Sequence, residues 1–438
     1  MQLHAVIDQS VRPYPPEPLI AIAYAAVLVG LTFLTMRRPV YGVAALIAVQ
    51  PFGLYSDVFH TTITLSKVVL CAVLLGLLGH SKSFASLRER VAIRFVLAGV
   101  LLIAATALSI MQAQYVLPAL RETFKAAEYI AMFVAVYAAY RIEPNRKVIC
   151  KTVTAIGILI ALIAVSEEII GAPSGMLLNN HVVPRVAGPL EGPNQLAAYL
   201  DISLPLMLAF AIGASDALLI GAISLGVFAD VLTFSRGGAV GAIAGTITVM
   251  LIYRRNLREP LVAVLAGVGS GIAVAAAWGL GAHSFDLYRP GSLSTAGYAG
   301  GVGSRSELWK AALHLWLRRP WLGIGAGNYE LELPQAGLRG IRTHANSLYV
   351  QALVEGGLPL LAATLWLTWT SIATFVRDRA QSPLIAGALA ASIALAVHQV
   401  ADFLTFYPKV GGWWWIVLAL GAAEFARVNA LKNETACA

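Results

Sequence analysis

Of the 438 residues, 58% are hydrophobic and only 12% carry a charge, with a mean hydropathy of +0.74. A water-soluble domain is about a quarter charged, so most of this chain is excluded from a soluble core and reads as a polytopic membrane protein. The net charge of +8 points to cytoplasmic Lys/Arg loops and not to nucleic-acid binding.

A bilayer core asks for roughly 20 apolar residues per helix. Residues 1–18 are Pro-rich and lack a basic segment before a short apolar core, so no cleaved signal peptide is expected. Apolar windows follow near 19–36, 41–56, 62–79, 91–111, 123–140, 148–166, 195–213, 217–234, 238–253, 261–281, 357–376, 383–403 and 411–426. The window 41–56 is short and contains Pro51, so the expected fold is an all-α membrane protein with 12–13 transmembrane helices. Cys71, Cys150 and Cys437 form neither a CxxC nor an even framework, so neither disulfides nor a thiolate metal site is expected.

Basic residues follow alternate windows: Lys82, Arg88 and Arg90; Arg141, Arg146 and Lys147; Arg254, Arg255 and Arg258; Arg377 and Arg379; Arg427 and Lys432. By the positive-inside rule their common face is cytoplasmic. The opposite face receives the Gly-, Pro- and Asn-rich interval 168–194, a tight turn at Ser235-Arg236-Gly237-Gly238, and a long loop over 282–344. The expected organisation is a single membrane domain, 1–438, with the 282–344 loop and its amphipathic helices inserted between spans. Within the loop, Leu308, Trp309, Ala312, Leu315 and Trp316 recur at helical spacing over 305–318, and the plain reading is a helix lying on the membrane surface.

Arg236 beside two glycines could meet phosphate oxygens with its planar fork, or simply snorkel from a helix end. Arg185 and Arg305 fall on the same face, one that the positive-inside rule depletes of cations, and together they suggest an anionic ligand. His344 stands where the polar loop returns to apolar sequence. Thr343 is expected to cap a helix starting at His344, whose dipole would keep the ring neutral and suited to accept a proton. Taken alone, a boundary histidine is more often an anchor than a base. His398 and Asp402, four residues apart, read as a structural hydrogen bond or as a proton relay. No Asp-x-Asp on that face, and no His-Glu-x-x-His, Gly-x-Ser-x-Gly or Walker loop anywhere, announces a metal or nucleotide site.

The Ser235–Gly238 turn, the Arg185…Asn194 segment, Arg305-x-x-x-Trp309 followed by Pro320-Trp321-Leu322-Gly323-Ile324-Gly325-Ala326-Gly327-Asn328, and His344-Ala345-Asn346-Ser347 together resemble the O-antigen ligase and polymerase superfamily. The resemblance covers about 180–405. It implies the fold of a lipid-dependent membrane glycosyltransferase, about a dozen helices with one large periplasmic loop, in the bacterial inner membrane. It also implies transfer of a polysaccharide from undecaprenyl diphosphate to lipid A–core, with inversion and with neither metal nor cofactor. Carried over, His344 would deprotonate the acceptor hydroxyl, Arg236 and Arg305 would neutralise the diphosphate with Arg185 as a third contact, and Asn194 and Asn346 would position sugars or order loops.

An O-antigen polymerase, which extends an undecaprenyl-linked glycan, is the nearest alternative. A protein O-oligosaccharyltransferase tends to carry an added C-terminal region, and this sequence runs only to Ala438, soon after its last window. A transporter or flippase would place its charges near mid-span, whereas these cluster at span ends.

Overall fold

The computed structural model describes residues 17–275, apart from breaks at 54, 59–60, 81–83, 173, 179–180, 213–215 and 255–257, and residues 305–437. Within the described residues, each apolar window of the sequence overlaps a helix. In chain order these are α1 (Glu17–Arg37), α2 (Pro39–Val49), α3 (Leu65–Leu78), α4 (Arg90–Ser109), α5 (Val116–Ile142), α6 (Arg146–Ile170), α7 (Pro193–Ala211), α8 (Ala217–Leu232), α9 (Arg236–Ile252) and α10 (Arg258–Ala275). After the interval 276–304 come α11 (Arg305–Arg318), the short α12 (Tyr329–Glu332), α13 (Leu348–Arg377), α14 (Pro383–His398) and α15 (Pro408–Cys437). Residues 282–304 of the long loop lie outside the described residues, so of its expected amphipathic helices α11 is the one described in that range.

Polar residues set several helix starts. Asn145, Asp216, Ser235, Ser347 and Ser382 each accept a backbone N–H from the first turn of the helix that follows. Among the described residues, five helices are long and apolar enough to cross a membrane: Pro18–Arg37, Arg90–Gln112, Arg146–Ile170, Leu348–Arg377 and Pro408–Thr435. Apolar side chains such as Ile22, Val29 and Phe33 on α1 face outward, as expected of lipid-facing surface.

Among the described residues, two antiparallel hairpins interrupt the all-helical expectation: β1 (Tyr55–Val58) with β2 (Thr61–Thr64), and β3 (Ser174–Leu178) with β4 (His181–Arg185). The first cuts the 41–56 window. Pro51 and Gly53 end the helical run, and the β-branched stretch Thr61-Thr62-Ile63-Thr64 favours a strand. As a result α2 has 11 residues and spans only about 16 Å of a ~30 Å hydrocarbon core.

The bundle has two chemically different ends. At one, Glu89 accepts from Arg141 at 2.7 Å, Arg38 donates to Glu143 at 2.6 Å, and the buried Glu424 binds Ser382 at 2.8 Å and Arg427 at 2.8 Å. These contacts involve Arg141, near the end of α5, and Arg427 of α15, members of two of the basic clusters. The other end gathers the starts of α5, α7, α9, α13 and α15 with the ends of α4, α6, α8 and α14, and it carries every candidate residue that the sequence singled out.

Helix α9 lies close against α7 and α14 because its inner face is glycine. A Cβ at Gly241 would stand 2.5 Å from Oδ2 of Asp201, and one at Gly245 would stand 2.7 Å from Pro205. Small residues four apart are the usual means of bringing helices together where lipid supplies no hydrophobic drive.

Helix α13 is broken at Gly357, whose φ of 62° is left-handed. Pro359 has no N–H, so the Glu355 carbonyl loses its partner four residues on. The loop before α12 repairs the break: Ile324 N–H binds the Val354 carbonyl at 3.0 Å and Gly325 N–H binds that of Glu355 at 2.9 Å. This approach explains the glycines of Gly323-Ile324-Gly325-Ala326-Gly327. A Cβ at Gly323 would lie 2.5 Å from the Glu355 carbonyl oxygen. Asn328, fully buried, closes the loop by exchanging hydrogen bonds with both backbone groups of Tyr115 at 2.8 and 3.0 Å.

Candidate functional site

The site lies where the end of α14 turns into α15. The turn at 399–407 is held from several sides. Leu348 N–H, at the start of α13, binds the carbonyls of Gln399 at 3.0 Å and Asp402 at 2.9 Å. The Gln399 side-chain oxygen receives both the N–H and the hydroxyl of Thr405, at 3.0 and 2.9 Å.

Arg185, the last residue of β4, donates from Nε to the Thr233 carbonyl at 2.7 Å and from its terminal nitrogen to Oδ1 of Asn194 at 2.8 Å. Thr233 follows α8, so the cation sits at the negative end of that helix. Asn194 then donates from Nδ2 to Oδ2 of Asp402 at 2.7 Å, and Oδ1 of Asp402 accepts Phe403 N–H at 2.8 Å. Arg305, the first residue of α11, donates from Nε to the Ala401 carbonyl at 2.8 Å. Burial raises the Asp402 pKa, against the lowering influence of Phe403 N–H, Arg305, Asn194 and Arg185.

Arg236 stands close enough to Arg305 for the two charges to interact unfavourably. The Ser235–Gly238 segment is not the tight turn expected. Ser235 caps α9, with its Oγ accepting Gly238 N–H at 3.2 Å, and Arg236, Gly237 and Gly238 form the first turn of the helix. The left-handed residue is Phe234, with φ 49°. The two glycines serve close approach. A Cβ at Gly237 would meet Cδ2 of His398 at 2.6 Å, and one at Gly238 would meet Ala197 at 2.5 Å.

The expected partnership of His398 with Asp402 does not form. His398 ends α14, and the chain leaves the helix before Asp402, so the four-residue spacing no longer puts the two on one face. The His398 ring instead meets Asp201 of α7, Nδ1 to Oδ2 at 2.7 Å, in full burial, and it packs beneath the first turn of α9. A lone acid within an apolar window, as Asp201 is, does not reveal its partner in the sequence.

His344 is half-buried against aromatic rings, with centroids 4.2 Å from Phe406 and 5.3 Å from Phe403. Helix α13 begins at Leu348 with Ser347 as its cap, not at His344 behind Thr343. The helix dipole therefore does not act on His344 as expected. Burial, and then the charge of Lys125, lower the His344 pKa from 6.5 to about 4, so the ring is neutral for a different reason. Its Nδ1 has no hydrogen-bond partner among the described residues. The surrounding loop is firmly held. The Ala345 carbonyl accepts the Trp309 indole N–H at 2.8 Å, Ala345 N–H binds the Gln351 side chain at 2.7 Å, and Asn346 takes a left-handed φ of 49°, a conformation asparagine tolerates better than most residues.

Helix α11 thus grips both halves of the site, Arg305 on the 399–407 turn and Trp309 on the His344 loop. Its Leu308, Ala312 and Leu315 are buried against Ile324, Tyr329 and Leu333, so that face is occupied by protein packing and not by the membrane surface. Leu313, Leu317 and Trp321 remain exposed.

Lys125 is a residue the sequence reading missed. Its Nζ lies 3.9 Å from the Phe406 ring centroid and donates to Glu122 at 2.7 Å and to the Phe406 carbonyl at 2.8 Å. A cation followed by aromatics nearly three hundred residues later gives no local signal. Lys125, Phe403 and Phe406 become visible only once α5 and α15 lie side by side.

Arg185, Asn194 and Asp402 are thus joined by hydrogen bonds, Arg305 holds the residue next to Asp402, Arg236 stands near Arg305, and His344 rests on Phe403. Fold and site define a helical membrane protein with a cation-rich polar site, and a neutral imidazole beside it, at one end of its bundle. Residues 221–365 match the family described as O-antigen ligase, and over this segment the chain is similar to the O-antigen ligase superfamily. The matched stretch runs from α8 into α13 and contains Arg236, Arg305, His344 and Asn346, while Arg185, Asn194, His398 and Asp402 lie outside it. No curated protein matches the chain. The match supports a membrane enzyme of the O-antigen ligase and polymerase type in general, glycosyltransferase-like, with lipid-linked glycan and a lipid acceptor as the kind of substrates such a family implies.

Proposed function

We propose that the chain is an O-antigen ligase of the bacterial inner membrane. It crosses the bilayer in 12–13 spans, with the 282–344 loop and the site on the periplasmic face. It moves a polysaccharide from undecaprenyl diphosphate to a hydroxyl of lipid A–core. The observation that carries this reading is the meeting of Arg185, Arg236 and Arg305 with the neutral His344 around one turn, 399–407.

In this mechanism His344 takes the proton of the attacking hydroxyl as the new glycosidic bond forms. The bond from the anomeric carbon to diphosphate breaks, and the electron pair leaves with the phosphate oxygen. Arg236 and Arg305 match the charge growing there, and Arg185 supports them through Asn194 and Asp402. Cations held by protein in a partly buried place stabilise that charge better than solvated ones, so the chemistry asks for no metal. Attack opposite the leaving group inverts the anomeric carbon. Asn346 shapes the loop that presents His344. His398 supports the first turn of α9 from below.

The O-antigen polymerase reading shares the donor and these residues and differs in its acceptor. Purified protein, given undecaprenyl-diphosphate glycan and lipid A–core with a chelator present, is expected to form lipopolysaccharide. Growth of the lipid-linked glycan without transfer to core would identify a polymerase, and loss of transfer on chelation would overturn the metal-free mechanism.

A further inference from the structure

Phe403 and Phe406, which contact the His344 ring, also line a cavity of about 130 Å³ between α4, α5, α13 and the start of α15. At ~10–15 Å³ of such space per water, it holds on the order of ten small heavy atoms, the bulk of one sugar ring. Its chemistry differs from that of the arginine side. The charged residues lining it are Glu122, Lys125 and Glu355, two carboxyl groups for one ammonium, a balance that disfavours a diphosphate.

What remains suits a neutral, hydroxyl-rich ring. Thr106 and Thr364 donate to helix carbonyls at 2.7 and 2.8 Å and keep oxygen lone pairs in reserve. Trp414 is 5% exposed, and its indole N–H has no partner among the described residues. A buried, unmade hydrogen bond is costly and marks a place where a ligand oxygen would be welcome. Aromatic walls accept the apolar face of a sugar. Gln351 links the cavity to the catalytic loop, since its side-chain oxygen holds Ala345 N–H at 2.7 Å, one residue beyond His344.

Resting on the glycan-transfer reading above, we propose that this cavity receives a sugar unit of the acceptor, bound through the Trp414 indole N–H, Lys125 and Gln351. The two substrates then approach from opposite sides of the 399–407 turn, the diphosphate from the arginines and the acceptor from the cavity.

The test measures binding without turnover. Full-length protein in lipid nanodiscs is titrated calorimetrically with core oligosaccharide freed of its lipid, and separately with undecaprenyl diphosphate. Trp414→Phe removes the donor and keeps the bulk; Ala352→Leu fills the cavity from α13. Each variant is expected to weaken oligosaccharide binding about ten-fold or more, with undecaprenyl diphosphate binding and thermal midpoint unchanged. Failure of wild type to bind the oligosaccharide, wild-type binding by both variants, or a parallel fall for undecaprenyl diphosphate would overturn the assignment. Selective loss of oligosaccharide binding in a protein that forms no transfer product would support the cavity and count against the reaction. Normal transfer with unchanged acceptor binding in both variants would leave the reaction standing and remove the cavity from it.

Discussion

Asn194 joins Arg185 to Asp402: its oxygen receives the guanidinium at 2.8 Å and its nitrogen donates to the carboxyl at 2.7 Å. An amide carries an acceptor oxygen and a donor nitrogen, so it can accept from a cation and donate to a carboxylate at the same time. It ties the last residue of β4, the start of α7 and the turn after α14 into one unit.

Asn194→Leu keeps the side-chain bulk and removes both bonds, leaving Arg185 and Asp402 without this partner in a buried setting. Losses of this kind cost about 1–3 kcal/mol. We expect a lower thermal midpoint and a drop in glycan transfer of about ten-fold or more, whereas Asn194→Asp, which repels Asp402, is expected to do worse than Leu. Transfer at the wild-type rate in Asn194→Leu would show that the linkage is dispensable.

The pH dependence follows from the His344 pKa of about 4. A base works in its neutral form. Because the folded pKa lies below the ordinary value, that form is present throughout the neutral range and is lost only as pH falls through about 4. Initial transfer rates are expected to stay level from pH 8 to about 5.5 and to decline below that. A decline centred near the ordinary histidine value of ~6.5 would place the base elsewhere or leave it unperturbed.

Lys125 contributes to that depression from across the Phe406 ring. Lys125→Met removes the charge and keeps the stem, so the acid limb of the rate profile should move to higher pH. An unmoved limb would show that the Lys125 charge does not depress the His344 pKa.

These residues also show what was legible in the sequence. Long apolar windows revealed the helices because lipid-facing and core-facing positions are both apolar, and the same windows said nothing of which helices touch. Arg185, Arg236, Arg305 and His344 stood out because cations and imidazole are rare at that face. Their neighbours did not: Asp201 is a lone acid inside an apolar run whose partner, His398, lies far along the chain, and Lys125 beside Glu122 reads as a local ion pair until the fold brings Phe406 to it. The Thr343 cap failed for a local reason. Asn346 in the left-handed region and Ala345, pinned by Trp309 and Gln351, hold the chain out of helix until Ser347 can cap it.

The break in α13 makes a separate prediction about stability. Gly357→Ala puts a Cβ 2.2 Å from the Trp321 carbonyl oxygen at a φ of +62°. The left-handed backbone alone costs about 1–2 kcal/mol for a non-glycine residue, and the collision adds to it. We expect a clear fall in thermal midpoint, matched by Gly323→Ala, because both glycines hold the same crossing. A variant as stable as wild type would mean that the loop does not seal the break.

The most direct test of the account compares wild type with His344→Ala and His344→Gln in nanodiscs supplied with undecaprenyl-diphosphate glycan and lipid A–core. Loss of a positioned base costs about 10²–10⁴ in rate. Wild type is expected to form lipopolysaccharide, both variants to transfer at least a hundred-fold more slowly, and binding of undecaprenyl diphosphate to stay unchanged. Near-normal transfer by either variant would contradict a base role for His344.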